Sequence, residues 1–215
     1  MKIYDISQEV FGCEVYPGDP APEKEIKLRI EDGAVCNLSA LHMCAHNGTH
    51  VDAPYHFLND GKTIDQVALE RFIGYAYVAE HNGEISADDA VAILEKARAA
   101  DAAEAGRRRA DDSGSDTGTL GAEKRILVKG DAIVTPEAAK AFAEAGILLF
   151  GNESQTVGPL DAPMAVHLIM LGAEIVLLEG IRLSEVPEGV YLLHAAPLNL
   201  GGADGAPCRA TLMCL

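Results

Sequence analysis

The second half of the chain alternates apolar runs with helix-type segments, and this alternation restricts the fold more than any other feature. RILVKG (125–130), ILLFGNES (147–154) and AEIVLLEG (173–180) have the length and apolar content of buried strands. Between them lie two helical segments. In TPEAAKAFAEAG (135–146), Thr135 suits an N-cap, Pro136 the first helical position and Gly146 the C-terminal stop. DAPMAVHLIMLG (161–172) repeats that grammar with Asp161, Pro163 and Gly172.

The first half adds strands of another kind. KIYDIS, VYPGDPAP with its Pro-Gly turn, and the alternating KEIKLRIEDG read as short strands joined by turns, and IGYAYVAEH as a longer one. In ISADDAVAILEKARAADAAEAG, Ser86 and Asp89 form a capping box that opens an amphipathic helix. VYLLHAAPLNL and PCRATLMCL close the chain as strands around a Gly-rich turn. Mixed strands with a few crossover helices, and neither repeat nor linker, describe one α/β (mixed α+β) domain over 1–215. Its one compositional break is GRRRADDSGSDTGTLGA (106–122), small, charged and poor in apolar residues. A solvated, flexible loop is expected there, with the three arginines on a surface turn rather than in an anion site.

Charge narrows the partners. With 33 acidic against 17 basic residues the formal charge is -16, which disfavours nucleic acid and anionic membranes and leaves a small-molecule substrate as the expected partner. MKIYDISQEVF places Asp5 and Glu9 where a secretory signal needs an apolar stretch, and no run reaches transmembrane length, so a cytoplasmic protein is expected. Five cysteines without CxxC spacing fit free thiols in a reducing compartment. Cys44 lies close enough to the histidines described next to be a ligand or nucleophile, although a buried small thiol is the commoner use of such a residue.

AHNGTHVDAPYHF (45–57) concentrates chemistry: His46, His50, Asp52 and His56 form H-x3-H-x-D-x3-H within a chain of seven histidines. Gly48 and Pro54 argue for strand or loop rather than helix. On a strand His50 and Asp52 share a face and can hold one cation together, while His46 and His56 come in by turns. Imidazole with carboxylate is the ligand mix of catalytic zinc and of some iron or manganese sites, and differs from cysteine-rich structural zinc. Further ligands must come from His42, His81, His167, His194 or carboxylates at strand ends. His167 sits in the apolar MAVHLIMLG, where a core histidine is the ordinary reading, and Glu179 ends the apolar IVLLEG, where a carboxylate is seldom placed for stability. A helix turning at Gly172 into that strand brings the two towards one end, which makes both plausible ligands.

HNGTHVDAPYHF followed by HLIMLGAEIVLLEG resembles the metal-dependent cyclase family, which includes bacterial kynurenine formamidases (arylformamidases) and isatin hydrolases. YDIS, PGDP, TPEAAKAFAEAG, ILLFGNESQTVGP and GADGAPCRA fall in the family's order, so the resemblance spans nearly the whole chain. It implies a swivelling β/β/α fold and a hydrolase of amides, lactams or esters that uses zinc or manganese, one or two ions per subunit. Position by position it implies that His46, His50 and Asp52 are metal ligands, that His56 is the catalytic histidine, and that His167 and Glu179 complete a two-metal centre. It implies a homodimer or homotetramer as well. Arylformamidases often carry a tryptophan near the PGD turn; this chain has Tyr16 there and no tryptophan, so Tyr16 is the candidate to pack on a substrate ring.

The implied chemistry is hydrolysis. A divalent cation lowers the pKa of its water from about 15.7 towards about 7, and a histidine beside the ligands is suited to carry the proton to the leaving group. Arylformamidase action, N-formylkynurenine to kynurenine and formate, is the best-known example. Opening of a lactam, lactone or ester is the alternative, and a non-catalytic metal or ligand-binding protein the third; a spare base at His56 argues against the last.

Overall fold

The computed structural model describes residues 1–111 and 119–214. Nine strands form one curled sheet in the order β1 (Lys2–Asp5), β13 (Thr211–Cys214), β11 (Gly189–His194), β5 (Ile73–Glu80), β7 (Arg125–Lys129), β9 (Leu149–Asn152), β10 (Val176–Glu179), β4 (His50–Asp52) and β12 (Gly205–Pro207). The four central strands β5, β7, β9 and β10 run parallel, and the flanks are antiparallel. Two small pairs stand apart from it: the hairpin β2 (Glu23–Leu28) with β3 (Leu38–His42), and β6 (Gly83–Ile85) with β8 (Ala132–Val134).

Strand side chains alternate between two cores, which is why the central strands read as unbroken apolar runs. Tyr77, Ile126, Val128, Phe150 and Leu177 face a layer made by α1 (Ala87–Asp111), α2 (Pro136–Glu144) and α3 (Met164–Gly172). Val78, Leu127, Leu149, Val176 and Leu178 face the opposite core, which the curl of the sheet encloses with Val51, Leu193 and Leu212. The result is the expected mixed α/β domain.

The helix caps agree with the sequence in two cases and differ in one. Ser86 and Asp89 bond each other's backbone N–H at the start of α1, and Ala90, Ile93, Leu94 and Ala97 form its buried stripe. The Thr135 hydroxyl accepts from Ala138 N–H at 3.2 Å, with Pro136 in the first turn of α2. Helix α3 departs from this: Pro163 is its cap residue, no side chain caps it, and Asp161 stays outside. After α3 the left-handed residue is Glu174 (φ 57) rather than a glycine; Lys62 and Arg71 hold its carboxylate at 2.5 and 3.1 Å.

The loop expected at 106–122 begins too early. Helix α1 continues through Gly106 to Asp111, because Glu104 pairs with Arg107 and Arg108 one turn on, and the Arg108 guanidinium lies 5.1 Å from the Tyr75 ring centre. Residues 112–118 of that segment lie outside the described residues. Where the chain returns, buried Asp101 accepts N–H bonds from Leu120 (2.9 Å) and Ala122 (2.8 Å), tying it to α1.

Candidate metal centre

The site lies at the carboxyl ends of β9 and β10, on the helix side of the sheet. Strand β4 pairs antiparallel with β10 so that His50 faces Glu179 across the ladder, and Asp52, two residues on, shares their face. His46 precedes β4 in a turn that Gly48 (φ 69) makes possible, and His56 follows it in a single 3-10 turn over Pro54–His56. His167 descends from α3. All six residues proposed from sequence for metal or proton chemistry therefore meet in one place.

Asp52 is the hub. Its Oδ1 lies 2.9 Å from His46 Nδ1 and 3.4 Å from His50 Nε2; its Oδ2 lies 3.6 Å from His167 Nε2 and 4.0 Å from His56 Nε2. Glu179 reaches His50 Nε2 at 3.3 Å with one oxygen and His167 Nε2 at 3.3 Å with the other, and also accepts the Val157 N–H at 2.7 Å. Asp52, His50, His167 and Glu179 are all buried.

The donor atoms suit a divalent cation. His50 Nδ1 sits 3.0 Å from the Gly48 carbonyl and His167 Nδ1 2.9 Å from the Pro163 carbonyl. A carbonyl only accepts, so both rings donate from Nδ1 and turn Nε2 to the carboxylates, where it would offer its lone pair to a bound cation, the arrangement of metal-ligating histidines. Asp52 Oδ2 is buried without a hydrogen-bond partner, a costly condition that a cation would relieve. Two donor sets, His46 with Asp52 and His56, and His50 with Asp52 and Glu179, each lie within 4.8 Å and share Asp52.

Protonation without metal carries the same message. Burial, the largest influence, disfavours the imidazolium, yet Asp204 and Asp52 raise His46 to about 11, and Asp52 and Glu179 raise His50 to about 9 and His167 to about 10. Burial pushes Asp52 upward, but the His167, His46 and His50 rings around it hold it well below the usual carboxylate range.

Sequence reasoning missed Asp204. It sits in the turn before β12, with Oδ2 at 2.7 Å from His46 Nε2 and 3.2 Å from His56 Nδ1. The only signal was the glycine-rich GGADG, which marks a turn but not its destination. The other histidines stay away: His42 on β3 pairs with Glu25 on β2, His81 bonds the Glu84 carbonyl, and His194 is exposed on β11.

A cavity of about 360 Å³ opens onto the cluster, walled by Tyr16, Phe57, Gln155, Thr156 and Pro163. The Tyr16 hydroxyl donates to the Leu160 carbonyl at 3.1 Å, placing its ring between this cavity and a neighbouring hollow of about 560 Å³ that contains no histidine. The chemistry thus resides in the smaller space. Cys44 lines it, 3.7 Å from Asp19, without joining either donor set.

The Cyclase family model matches residues 4–159. The chain belongs to this family. A kynurenine formamidase of Salinibacter ruber is 34% identical, over 99% of this chain and 97% of its own length. One from Erythrobacter litoralis is 31% identical, covering 98% and 93%. A solved structure described as a potential metal-dependent hydrolase with cyclase activity superposes with a TM-score of 0.71 at 25% identity, over 98% of this chain and 96% of its own. Isatin hydrolase A from Labrenzia aggregata gives 0.76 at 20% identity over 99% and 93%, a likeness of fold.

Proposed function

We propose that this protein is a metal-dependent hydrolase that cleaves an amide C–N bond of a small molecule, with an N-formylated aryl amine such as N-formylkynurenine as the foremost substrate. The observation that carries this reading is the convergence of His46, His50, His167 and Glu179 around a buried Asp52 oxygen that has no hydrogen-bond partner, with His56 on the cavity side. Whole-length similarity to kynurenine formamidases supports the amide as target. Opening of a lactam or lactone is the second reading, supported by the fold shared with isatin hydrolase A.

Zinc or manganese, one or two ions per subunit, suits the nitrogen and carboxylate donors of His46, His50, Asp52, His167 and Glu179, with His56 left free for proton transfer. When bound, such an ion polarises a carbonyl and makes water nucleophilic near neutral pH. The chain's own groups do the rest. His50 and His167 are locked in tautomer by backbone carbonyls, and Val157 N–H fixes the rotamer of Glu179. His56, partly open to the cavity, accepts the water proton and delivers it to the leaving nitrogen. Phe57 and Tyr16 supply ring surfaces for an aromatic substrate.

The test joins metal analysis of the purified protein to a hydrolysis screen over N-formylkynurenine, formanilides, isatin and simple lactones. Activity lost to a chelator and restored by zinc or manganese is expected; full turnover by a metal-free protein would sink the reading.

The same proposal includes a cytoplasmic location, supported by five free thiols, and no helix among the described residues is long and apolar enough to cross a membrane. It also includes a homodimer or homotetramer. Both strands of the β2–β3 hairpin are exposed, with Ile26, Leu28, Leu38 and Leu41 at 41 to 58% accessibility, and a lone two-stranded hairpin is marginal in water. Sedimentation velocity at micromolar concentration decides this, a monomer counting against it.

A further inference from the structure

Asp204 stands outside the residues so far assigned a task. Its backbone carbonyl accepts the Ala53 N–H at 2.9 Å, and the loop around it is pinned by Ile64 N–H to the Ala203 carbonyl and Gly202 N–H to Asp65, each at 2.9 Å. The next residue, Gly205, pairs with Asp52 as β12 joins β4. Main-chain bonds and Asp65 thus hold the loop without using the Asp204 carboxylate. That carboxylate, 41% exposed, meets only two rings among the described residues: His46 Nε2 at 2.7 Å and His56 Nδ1 at 3.2 Å, both through Oδ2.

For the His56 ring this is the one hydrogen bond among the described residues. A carboxylate only accepts, so His56 carries hydrogen on Nδ1 and its neutral ring bears the lone pair on Nε2, which faces Asp52 Oδ2 at 4.0 Å across the centre. For His46, stacked on His56 with ring centres 4.1 Å apart, the same oxygen holds Nε2 and leaves Nδ1 turned to Asp52. Building on the metal-hydrolase reading above, we propose that Asp204 is a positioning residue for both rings: one carboxylate oxygen sets the tautomer of the proton carrier and the orientation of the adjacent ligand. Proton carrier and ligand are then coupled, and the loss of one carboxylate disturbs both.

The experiment compares Asp204→Asn, Asp204→Ala and Asp204→Glu with the unaltered chain. Long-range proton–nitrogen NMR of the zinc-loaded protein reads the His56 tautomer, zinc titration against a competing chelator reads affinity, and formanilide hydrolysis at saturating zinc separates kcat from KM. Expected are the Nδ1–H tautomer in the unaltered protein and its loss in Asp204→Ala. Zinc binding should weaken about 10- to 100-fold, and kcat should fall roughly 100-fold with KM little changed. Asp204→Glu should restore the tautomer and part of the rate; Asp204→Asn has the shape of the original side chain and serves if the alanine variant does not fold. Unchanged tautomer and zinc affinity in Asp204→Ala, or a loss carried by KM alone, overturns the proposal. If the unaltered protein hydrolyses no amide or lactam, the hydrolase reading fails, while tautomer and zinc affinity still decide the role of Asp204.

Discussion

Strand pairs β4–β10 and β2–β3 are both short and antiparallel, yet one is buried throughout and the other is almost wholly exposed. The difference lies in their neighbours. β4 is held on both edges, by β10 and β12, with Val51 and Leu178 in one core and α3 over the other face. β2 and β3 have only each other. His50, Asp52 and Glu179 can be placed to within about half an ångström on strands braced in this way, and desolvation there strengthens their pull on a cation. The hairpin suits a surface that meets something else.

The strongest way to break the contrast is to remove the hub. Asp52→Asn should lower zinc affinity by more than roughly 100-fold, beyond what loss of an outer partner costs, and abolish turnover. In the unaltered protein, zinc at a thousand times its Kd should add about 4 kcal/mol of stability, and in Asp52→Asn the same zinc concentration should add about 1.4 kcal/mol or less in parallel urea titrations.

Bracing rather than chemistry is tested by Gly205→Ala. A Cβ there would stand 2.8 Å from the Val51 carbonyl oxygen and 2.8 Å from His46 Cε1, so β12 must move off β4. A loss of about 1–3 kcal/mol is expected from this overpacking, together with weaker zinc binding in the same titration. Unfolding unchanged in urea would show that the edge does not brace the ligands.

Thr49→Val should be milder towards zinc. Its hydroxyl donates to the Gly180 carbonyl at 2.7 Å and accepts the Gln8 N–H at 2.9 Å, joining the amino-terminal segment and the residue after Glu179 to the histidine motif. Leaving those groups unpaired should cost about 1–3 kcal/mol, with zinc affinity nearly retained, because the hydroxyl touches the chain beside a ligand and not a ligand itself. Smallest in the folded subunit should be Leu38→Ser and Leu41→Ser on the hairpin. Within the subunit they should change stability by less than about 0.5 kcal/mol, while shifting the sedimentation of any oligomer that uses this face.

Legibility in the sequence followed the range of the signal. His50 and Asp52 were readable as a pair because strand alternation is local, and Thr135 and Ser86 because caps act over three residues. The end of α1 was misjudged: composition at Gly106–Asp111 favours a loop, but Glu104 with Arg107 and Arg108, and Tyr75 from the sheet, carry the helix onward. Asp161 looked like a cap from spacing alone, yet α3 starts at Met164 without it. Asp204 was silent, since a lone acid in a glycine-rich turn carries no period and its partners lie 158 and 148 positions away.

By itself the sequence determined the kind of side chains brought together: H-x3-H-x-D-x3-H states imidazole and carboxylate donors and a two-residue spacing that any extended strand turns to one face. Only the tertiary structure decided which distant groups complete it. Antiparallel pairing of β4 with β10 sets Glu179 opposite His50, the crossover through α3 lowers His167 onto Asp52, and β12 carries Asp204 to His46 and His56. Periodicity is local and can be read along one segment. Strand adjacency depends on how two whole cores close, and no window of residues contains that.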